Sequence, residues 1–301
     1  MAPDFDELPA ALRESASGAW DRFQQTHPEP AARLLEMPAV AASIARVWAV
    51  SEFVSGECLR HPDDLEALLE TGGLEQPWAA DSLEPVLAQE LAEGADPDAG
   101  DEAFMGALRV FRRRQMVRIA WRDYAGWSSL EENLGHLSEL ADVTIAAAVS
   151  RAHAALSLQH GEPTGADGHP LALMVLAMGK LGGRELNFSS DVDLIFLYET
   201  GGETDGRRPL SHEQFFARLG QRVIRFLDEP TADGRVFRVD LRLRPFGQSG
   251  PLAMSLPAFQ AYLEGHGRPW ERYAFVKARP ITGWAAGVGL YREILGPFVY
   301  R

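Results

Sequence analysis

The sequence has little of several features that mark common classes of protein. One cysteine, Cys58, occurs in 301 residues, which excludes an internal disulfide and a cysteine-rich zinc site. We expect its side chain to be a small, buried, apolar group. No stretch approaches the roughly 18 apolar residues of a membrane-spanning helix, and the acidic N-terminus lacks a signal-peptide pattern. We therefore expect a cytoplasmic protein with no membrane partner.

Positive charge is also scarce. The chain has 29 lysines and arginines against 43 aspartates and glutamates, which gives a net charge of −14. Proteins that bind nucleic acid need a basic face for phosphate contacts, so this balance argues against a nucleic-acid partner. Hydrophobic residues make up 46% of the chain, an ordinary share for a globular protein with a sizeable core.

Two common nucleotide-binding motifs are missing. The segment GKLGG at 179–183 is neither a P-loop nor the Gly-x-Gly-x-x-Gly dinucleotide fingerprint. The absence of the dinucleotide fingerprint argues against a nicotinamide-dependent dehydrogenase. The histidines show no spacing typical of a metal site.

Two regions of different composition are predicted. Residues 1–160 carry apolar positions at helical spacing and are expected to form a helical N-terminal region. A Gly- and Pro-rich segment at 160–170 leads into residues 161–301, where helix and strand patterns are mixed. This order predicts an α+β fold with a small mixed sheet flanked by helices.

Arginine is concentrated in one predicted helix, 102–121, and just after it. A cluster of arginines can bind phosphate or an acidic protein surface. We favour a solvated helical face that pairs with acidic side chains elsewhere. The six members are Arg109, Arg112, Arg113, Arg114, Arg118 and Arg122.

The segment 171–199 carries the strongest chemical signal. A buried strand is predicted at 171–178, and a second strand follows Asp191 and Asp193. Side chains two residues apart on a strand share a face, so these carboxylates project together and repel each other. Mg²⁺ prefers hard oxygen ligands and is commonly held by one or two carboxylates together with phosphate oxygens. With a glycine turn able to present N–H groups to phosphate, the segment predicts a site for nucleotidyl or phosphoryl transfer.

The same residues carry a resemblance to a known family. The segment GKLGGRELNFSSDVDLIF at 179–196 resembles the signature of the bifunctional glutamine synthetase adenylyltransferase/adenylyl-removing enzyme. FRRRQMVRIAWRDYAGW at 111–127 is also similar to that family. Its members are DNA polymerase β-like nucleotidyltransferases with two such domains in tandem. The motif LNFSSD at 186–191 resembles that of the N-terminal, adenylyl-removing domain rather than that of the attaching domain.

The resemblance implies a third carboxylate. RVDLRLRPFGQSGPL at 238–252 resembles the family's third catalytic strand, and a strand is predicted at 235–243. Its alternation places Val236 on the face of Asp240 and Phe237 on the opposite face. The resemblance implies that two Mg²⁺ ions are held by Asp191, Asp193 and Asp240.

Phosphate and nucleotide contacts are implied by the same resemblance. The residues that would cradle phosphate are Gly179, Gly182, Gly183, Ser189 and Ser190. Arg242 and Arg244 follow Asp240, and two interpretations of them remain open. They hold the phosphate or the nucleotide, or they neutralise the acidic cluster through ion pairs.

The resemblance implies Mg²⁺-dependent phosphorolysis, in which inorganic phosphate removes AMP from a tyrosine of glutamine synthetase and ADP is released. One alternative is adenylyl transfer from ATP to glutamine synthetase. Another is a fragment that binds nucleotide, glutamine synthetase or a nitrogen-signalling regulatory protein without turnover. Family chains continue through further helices and a second domain, so residues 161–301 are expected to be a C-terminally incomplete nucleotidyltransferase-like domain.

Overall fold

A computed structural model of the chain describes residues 3–93, 100–283 and 289–300. The predicted α+β fold class is confirmed, because helices fill the first part of the chain and a small mixed sheet with flanking helices follows. The described residues form two compact units. Residues 3–93 and 106–137 make the first, and residues 100–105, 138–283 and 289–300 make the second. The compositional boundary between residues 160 and 161 stays a prediction.

Short helices dominate the first unit. Their starts follow local sequence rules: Pro28, Pro38 and Pro62 each occupy the first helical position, where the missing N–H costs nothing. Ser51 accepts a hydrogen bond from the Val54 N–H and so caps the fourth helix. The helices are α1 (Ala10–Thr26), α2 (Pro28–Glu36), α3 (Pro38–Val50), α4 (Glu52–Arg60), α5 (Pro62–Glu70) and α6 (Leu83–Glu93).

Two long helices follow, α7 (Asp101–Ala125) and α8 (Leu130–His160).

Cys58 of α4 is 1% exposed, which confirms that it is a buried residue. None of the helices among the described residues combines the length and the apolar character that a bilayer crossing requires.

The arginines of α7 pair with acidic side chains elsewhere, as predicted, since Arg113 and Arg114 both contact Asp64.

The prediction that these arginines form a solvated face is wrong. Arg109, Arg118 and Arg122 are 1%, 9% and 2% exposed. Arg118 Nε donates to the Gly73 carbonyl at 2.6 Å, and Arg122 Nη1 donates to the Glu75 carbonyl at 2.8 Å. These carbonyls lie in the segment that follows α5, where no helix or strand supplies donors, so the arginines satisfy them.

The sheet belongs to the second unit. Its strands are β1 (Met174–Ala177), β2 (Val192–Tyr198), β3 (Val239–Asp240), β4 (Ala253–Ser255) and β5 (Arg279–Pro280). The order is β3-β2-β1-β5, with β4 also paired to β2. β1 is antiparallel to β2 and β5, whereas β3 and β4 are parallel to β2. β2 is therefore the central strand, and it is almost completely buried.

Helices flank this sheet. They are α9 (Gly179–Gly182), α10 (His212–Asp228), α11 (Leu256–His266), α12 (Pro269–Phe275) and α13 (Gly296–Tyr300). The apolar positions of α10 recur at helical spacing and are buried, with Phe215, Phe216 and Leu219 fully so. One apolar cluster joins the sheet to α11 and α12 and includes Met174, Leu176, Ile195, Leu197, Phe259 and Phe275.

Two predicted strands are shorter than expected. The strand expected at 171–178 pairs only over Met174–Ala177. The strand expected at 235–243 is reduced to Val239–Asp240, and its alternation is wrong because Val236 and Phe237 are both buried. The N–H groups of these two residues both donate to the Leu227 carbonyl, so this segment caps α10 instead of pairing with β2.

We expect Arg122→Ala to lower the free energy of unfolding by about 3 kcal/mol, because it removes the donor from buried carbonyls and from the Glu132 carboxylate, 3.0 Å away. Urea denaturation measures the change. The control is Arg33→Ala, which breaks an exposed pair with Glu70 at 3.3 Å and should cost less than about 1 kcal/mol. Equal losses in the two variants would contradict a structural role for Arg122.

Candidate active site

Three aspartates meet where β2 pairs with β3. Asp193 and Asp240 are direct partners in the parallel ladder, and Asp191 immediately precedes β2. Adjacent strands are about 4.8 Å apart and paired residues share a face, so the carboxylates of Asp193 and Asp240 are neighbours. All three aspartates line one cavity of about 420 Å³.

That first cavity brings together most of the residues predicted from the sequence. Its lining is Gly179, Lys180, Asn187, Ser189, Ser190, Asp191, Asp193, Arg238, Asp240 and Arg242. A second cavity of about 370 Å³ shares four of these residues, Asp191, Arg238, Asp240 and Arg242. Its further lining is Asp228, Val239, Leu241, Arg244 and Gln248. The two cavities therefore adjoin at the carboxylates.

Arginines neutralise two of the three carboxylates. Arg242 donates to Asp240 through its backbone N–H at 2.8 Å and through Nε at 2.7 Å. These hydrogen bonds hold the pKa of the Asp240 carboxyl below its usual value. Arg238 Nε lies 2.6 Å from Asp191 Oδ1, an ion pair without hydrogen-bond geometry.

Arg242 thus makes the ion pair that one of the two interpretations expected. Arg244 does not pair with the aspartates; it donates to the carbonyls of Leu241 and Gln248 and so holds the turn after β3. A role for either arginine in holding phosphate or nucleotide stays a prediction.

Asp193 is in a different environment from the other two aspartates. Its side chain is half-buried, and burial raises its pKa first, followed by the negative charges of Asp240 and Asp191. Gly179, in a left-handed conformation with φ +54, approaches it closely, since a Cβ there would lie 2.8 Å from Asp193 Oδ2. A side chain at position 179 would therefore cover this carboxylate.

Polar side chains from the segment between β1 and β2 also line the first cavity. Lys180 Nζ donates to Ser190 Oγ at 3.3 Å, and Ser190 Oγ in turn donates to the Asn187 side-chain oxygen. Lys180, Asn187 and Arg238 were missed by the sequence reasoning as site residues. The glycines around Lys180 and the position of Arg238, two residues before Asp240, are the signals that point to them.

Gly182 and Gly183 do not line either cavity. A Cβ at Gly182 would lie 2.2 Å from the Lys277 carbonyl oxygen, so its role is close packing against the segment that leads into β5. Arg279 of the same segment binds the glycine turn. It donates to the Leu181 carbonyl at 3.1 Å and to Asp142 at 2.9 Å. The glycine turn is therefore held in place by packing and by a largely buried ion pair.

The fit of the aspartates to Mg²⁺ depends on the arginines. Within the part of the chain that the structure describes, no three histidine, cysteine, aspartate or glutamate side chains are arranged to hold a metal ion. Asp191 and Asp240 turn towards Arg238 and Arg242. Carboxylate oxygens are nevertheless ligands that Mg²⁺ prefers, and burial, followed by the charges of Asp240 and Asp191, raises the pKa of Asp193. The donor chemistry fits a hard cation, provided that the arginines release the carboxylates.

Known proteins of one family are similar to this chain. The sequence profile of the family described as glutamate-ammonia ligase adenylyltransferase matches residues 41–288. The chain is 47% identical over 300 residues to a protein of Thioalkalivibrio sulfidiphilus, covering 99% of this chain and 30% of the relative. That relative is named bifunctional glutamine synthetase adenylyltransferase/adenylyl-removing enzyme.

Two further relatives carry the same name. They come from Shewanella loihica, with 42% identity over 295 residues, and Nitrosococcus oceani, with 42% identity over 297 residues. Each alignment covers 98% of this chain and 30% of the relative. The chain therefore spans less than a third of the length of the curated relatives that it matches.

We expect Gly182→Ala to lower the free energy of unfolding by about 2 kcal/mol, because the added methyl group collides with backbone carbonyls that cannot move freely. The control is Gly265→Ala in α11, where a Cβ meets nothing within 4 Å. Alanine is the better helix former there, by up to about 1 kcal/mol. Thermal unfolding of both variants tests this, and a stable Gly182→Ala protein would contradict the close packing.

We expect Asp193→Asn and Asp240→Asn to change stability in opposite directions at pH 7. The pKa of Asp193 is raised above 3.8, so its ionised form opposes folding once the pH exceeds that raised value. Asp193→Asn should match or exceed the wild-type melting temperature at pH 7, and the gain should vanish as the pH approaches 4. The pKa of Asp240 is lowered, so its ionised form stabilises the fold.

Asp240→Asn should therefore melt below the wild type at pH 7, and its deficit should shrink as the pH falls through the lowered pKa of Asp240. Melting temperatures measured without divalent cations from about pH 2 to about pH 8 test both directions, since the window for Asp240 lies below its usual pKa of 3.8. The same sign of change for both variants would contradict the assigned environments.

Proposed function

Because this chain belongs to the glutamate-ammonia ligase adenylyltransferase family, we propose that it removes AMP from adenylylated glutamine synthetase by phosphorolysis. The observation that supports this most is the pairing of Asp193 with Asp240 beside the donors Lys180 and Ser190. Carboxylates and anion donors side by side are what a phosphoryl or nucleotidyl transfer requires.

In the proposed reaction, an oxygen of inorganic phosphate attacks the phosphorus of the AMP group. A P–O–P bond forms and the bond from phosphorus to the tyrosyl oxygen breaks. The proton lost by the hydrogen phosphate goes to the tyrosyl oxygen, so the products are ADP and the free tyrosine. Lys180 and Ser190 bind and orient the attacking phosphate on their side of the first cavity. Gly179 leaves room for it to come close to Asp193.

Asp191, Asp193 and Asp240 are the residues that would hold Mg²⁺, which supplies charge stabilisation for the phosphoryl oxygens when bound. Arg238 and Arg242 would then be free to bind non-bridging phosphate oxygens, for which the guanidinium fork is well shaped. The half-buried position of Asp193 strengthens these interactions, because a lower local dielectric strengthens the attraction between opposite charges.

Adenylyl transfer from ATP is the alternative reaction, since the relatives' name includes both activities. The LNFSSD motif at residues 186–191 favours removal of AMP over its attachment. A fragment that binds without turnover is a further alternative, because the chain covers 30% of those relatives. Glutamine synthetase as protein substrate, a nitrogen-signalling regulatory partner and a cytoplasmic location all belong to the proposal.

Product analysis separates these candidates. The chain is incubated with adenylylated glutamine synthetase, phosphate and Mg²⁺, and ADP is measured. In parallel it is incubated with unmodified glutamine synthetase, ATP and Mg²⁺, and pyrophosphate is measured. Phosphate-dependent ADP release supports removal. Pyrophosphate release alone would indicate that the chain attaches AMP to glutamine synthetase instead of removing it. Binding of ADP without either product would favour the non-catalytic alternative.

We expect Asp193→Asn to slow ADP release by at least about 10²-fold, because an amide is a poorer ligand for a hard cation and each 1.4 kcal/mol of lost transition-state stabilisation is about a factor of ten. The fold should persist, since asparagine has nearly the size of aspartate. The control is Asp21→Asn on the exposed side of α1, which should release ADP at the wild-type rate. ADP release at a near-normal rate by a folded Asp193→Asn protein would contradict the proposed role of the carboxylates.

A further inference from the structure

The segment between β1 and β2, residues 178–191, carries the donors of the first cavity on two turns. The first turn closes where the Glu185 N–H donates to the Lys180 carbonyl at 2.8 Å. The second closes where the Ser190 N–H donates to the Asn187 carbonyl at 3.2 Å. The contact that joins the turns directly, from Lys180 Nζ to Ser190 Oγ at 3.3 Å, is exposed and therefore weak. The positions of the two turns thus depend on contacts from outside the segment.

Helix α8 supplies such contacts from one face. Ser138 and Asp142 are four residues apart on this helix, so their side chains lie on the same side of it. Ser138 Oγ accepts a hydrogen bond from the Leu186 N–H at 3.3 Å, and both residues are fully buried. Leu186 lies between the two turns, so the Ser138 hydroxyl holds the point at which they join.

Asp142 holds the first turn through two arginines. Its Oδ1 accepts a hydrogen bond from Arg279 Nη2 at 2.9 Å, and the same Nη2 donates to the Leu181 carbonyl at 3.1 Å. Its Oδ2 lies 3.6 Å from Arg184 Nη2. Arg184 has φ 55, a left-handed conformation that is costly for a residue with a Cβ and persists only where its surroundings fix it. Leu181 follows Lys180 directly, so Asp142 fixes the backbone that carries the Lys180 side chain.

The pair of Asp142 and Arg279 is better suited to fixing positions than to stabilising the fold. Its side chains are 14% and 18% exposed. Removing two charges from water costs about as much as their attraction returns, so such a pair adds little net stability. It does add direction, because a guanidinium group presents its donors in a fixed plane. Neither Ser138 nor Asp142 lines the first or the second cavity, so neither touches a group bound there.

We propose that Ser138 and Asp142 are positioning residues for phosphate, through which α8 places Lys180 and Ser190 beside Asp193 in the first cavity. This inference rests on the proposed function, in which inorganic phosphate is the attacking group. Phosphate binds well only when its donors converge, and its attack requires an oxygen held at a fixed place near the reacting phosphorus. The two residues of α8 therefore determine the affinity for phosphate and not the affinity for the protein substrate.

The test measures the Kd for inorganic phosphate by titration calorimetry with Mg²⁺ present, and the KM for phosphate in ADP release. Asp142→Asn keeps the size of the side chain and removes its charge. We expect both constants to rise about tenfold, the effect of displacing one charge-assisted donor. Ser138→Ala removes a neutral acceptor and should raise them about threefold. The KM for adenylylated glutamine synthetase should stay at the wild-type value in both variants.

A double-mutant cycle separates positioning from a general loss of stability. Lys180→Ala removes the donor itself, so adding Asp142→Asn to it should raise the Kd for phosphate less than about twofold further. Asp101→Asn is the matched control, because Asp101 lies in the same unit, pairs with Arg222 at 2.6 Å and has a side chain that is 19% exposed. It lines neither cavity and should leave the Kd for phosphate unchanged.

Three results would overturn the inference. They are an unchanged Kd for phosphate in folded Asp142→Asn and Ser138→Ala proteins, equal increases in Asp142→Asn and Asp101→Asn, and full additivity of Asp142→Asn with Lys180→Ala. Thermal unfolding establishes that each variant is folded. A wild-type chain that binds phosphate through Lys180 but releases no ADP would reject the proposed function alone, because the comparison of Kd values does not require turnover.

Discussion

The in-register pairing of Asp193 with Asp240 is the constraint on which the rest of the site depends. Two carboxylates on adjacent strands repel each other, and a third, Asp191, adds to the repulsion. The second unit compensates with Arg238 and Arg242, which bring positive charge to the two aspartates at the margins. The middle carboxylate, Asp193, keeps a raised pKa because of its burial and because of its two negative neighbours.

Holding Asp240 beside Asp193 on a strand of only two residues requires support from outside the ladder. Asp228, at the end of α10, accepts a hydrogen bond from the Val239 N–H at 3.3 Å and pairs with Arg235 at 2.7 Å. On the other side of β2, Gly182 packs against the Lys277 carbonyl and so positions the glycine turn. Helix α10 and the segment before β5 therefore set the positions of the two walls that face the carboxylates.

Arginine has the same physical role in both units of this acidic chain. In the first unit, Arg118 and Arg122 donate to carbonyls that no regular structure satisfies, and in the second unit arginines offset the carboxylates. The guanidinium group suits both tasks, because it has five donors and stays charged when buried. A chain with a net charge of −14 thus uses its scarce cations at sites with a high density of acceptors.

Local patterns in the sequence were enough to determine the helical character of the first region, the central strand and the residues around Asp191 and Asp193. Prolines at first helical positions, the apolar spacing of α10 and the β-forming run of β2 act over a few neighbouring residues, so they can be recognised without the fold. The α+β class follows from their order along the chain. Family resemblance, and not periodicity, pointed to Asp240.

Tertiary structure alone decided the features that depend on residues far apart in the sequence. Arg122 is buried because carbonyls 47 and 48 residues away need donors, which helical periodicity cannot reveal. The strand expected at 235–243 is short because its first N–H groups are used by the end of α10. Position 182 has no room for a side chain because the Lys277 carbonyl, far along the chain, packs against it. Each position is set by a partner that the local sequence does not identify.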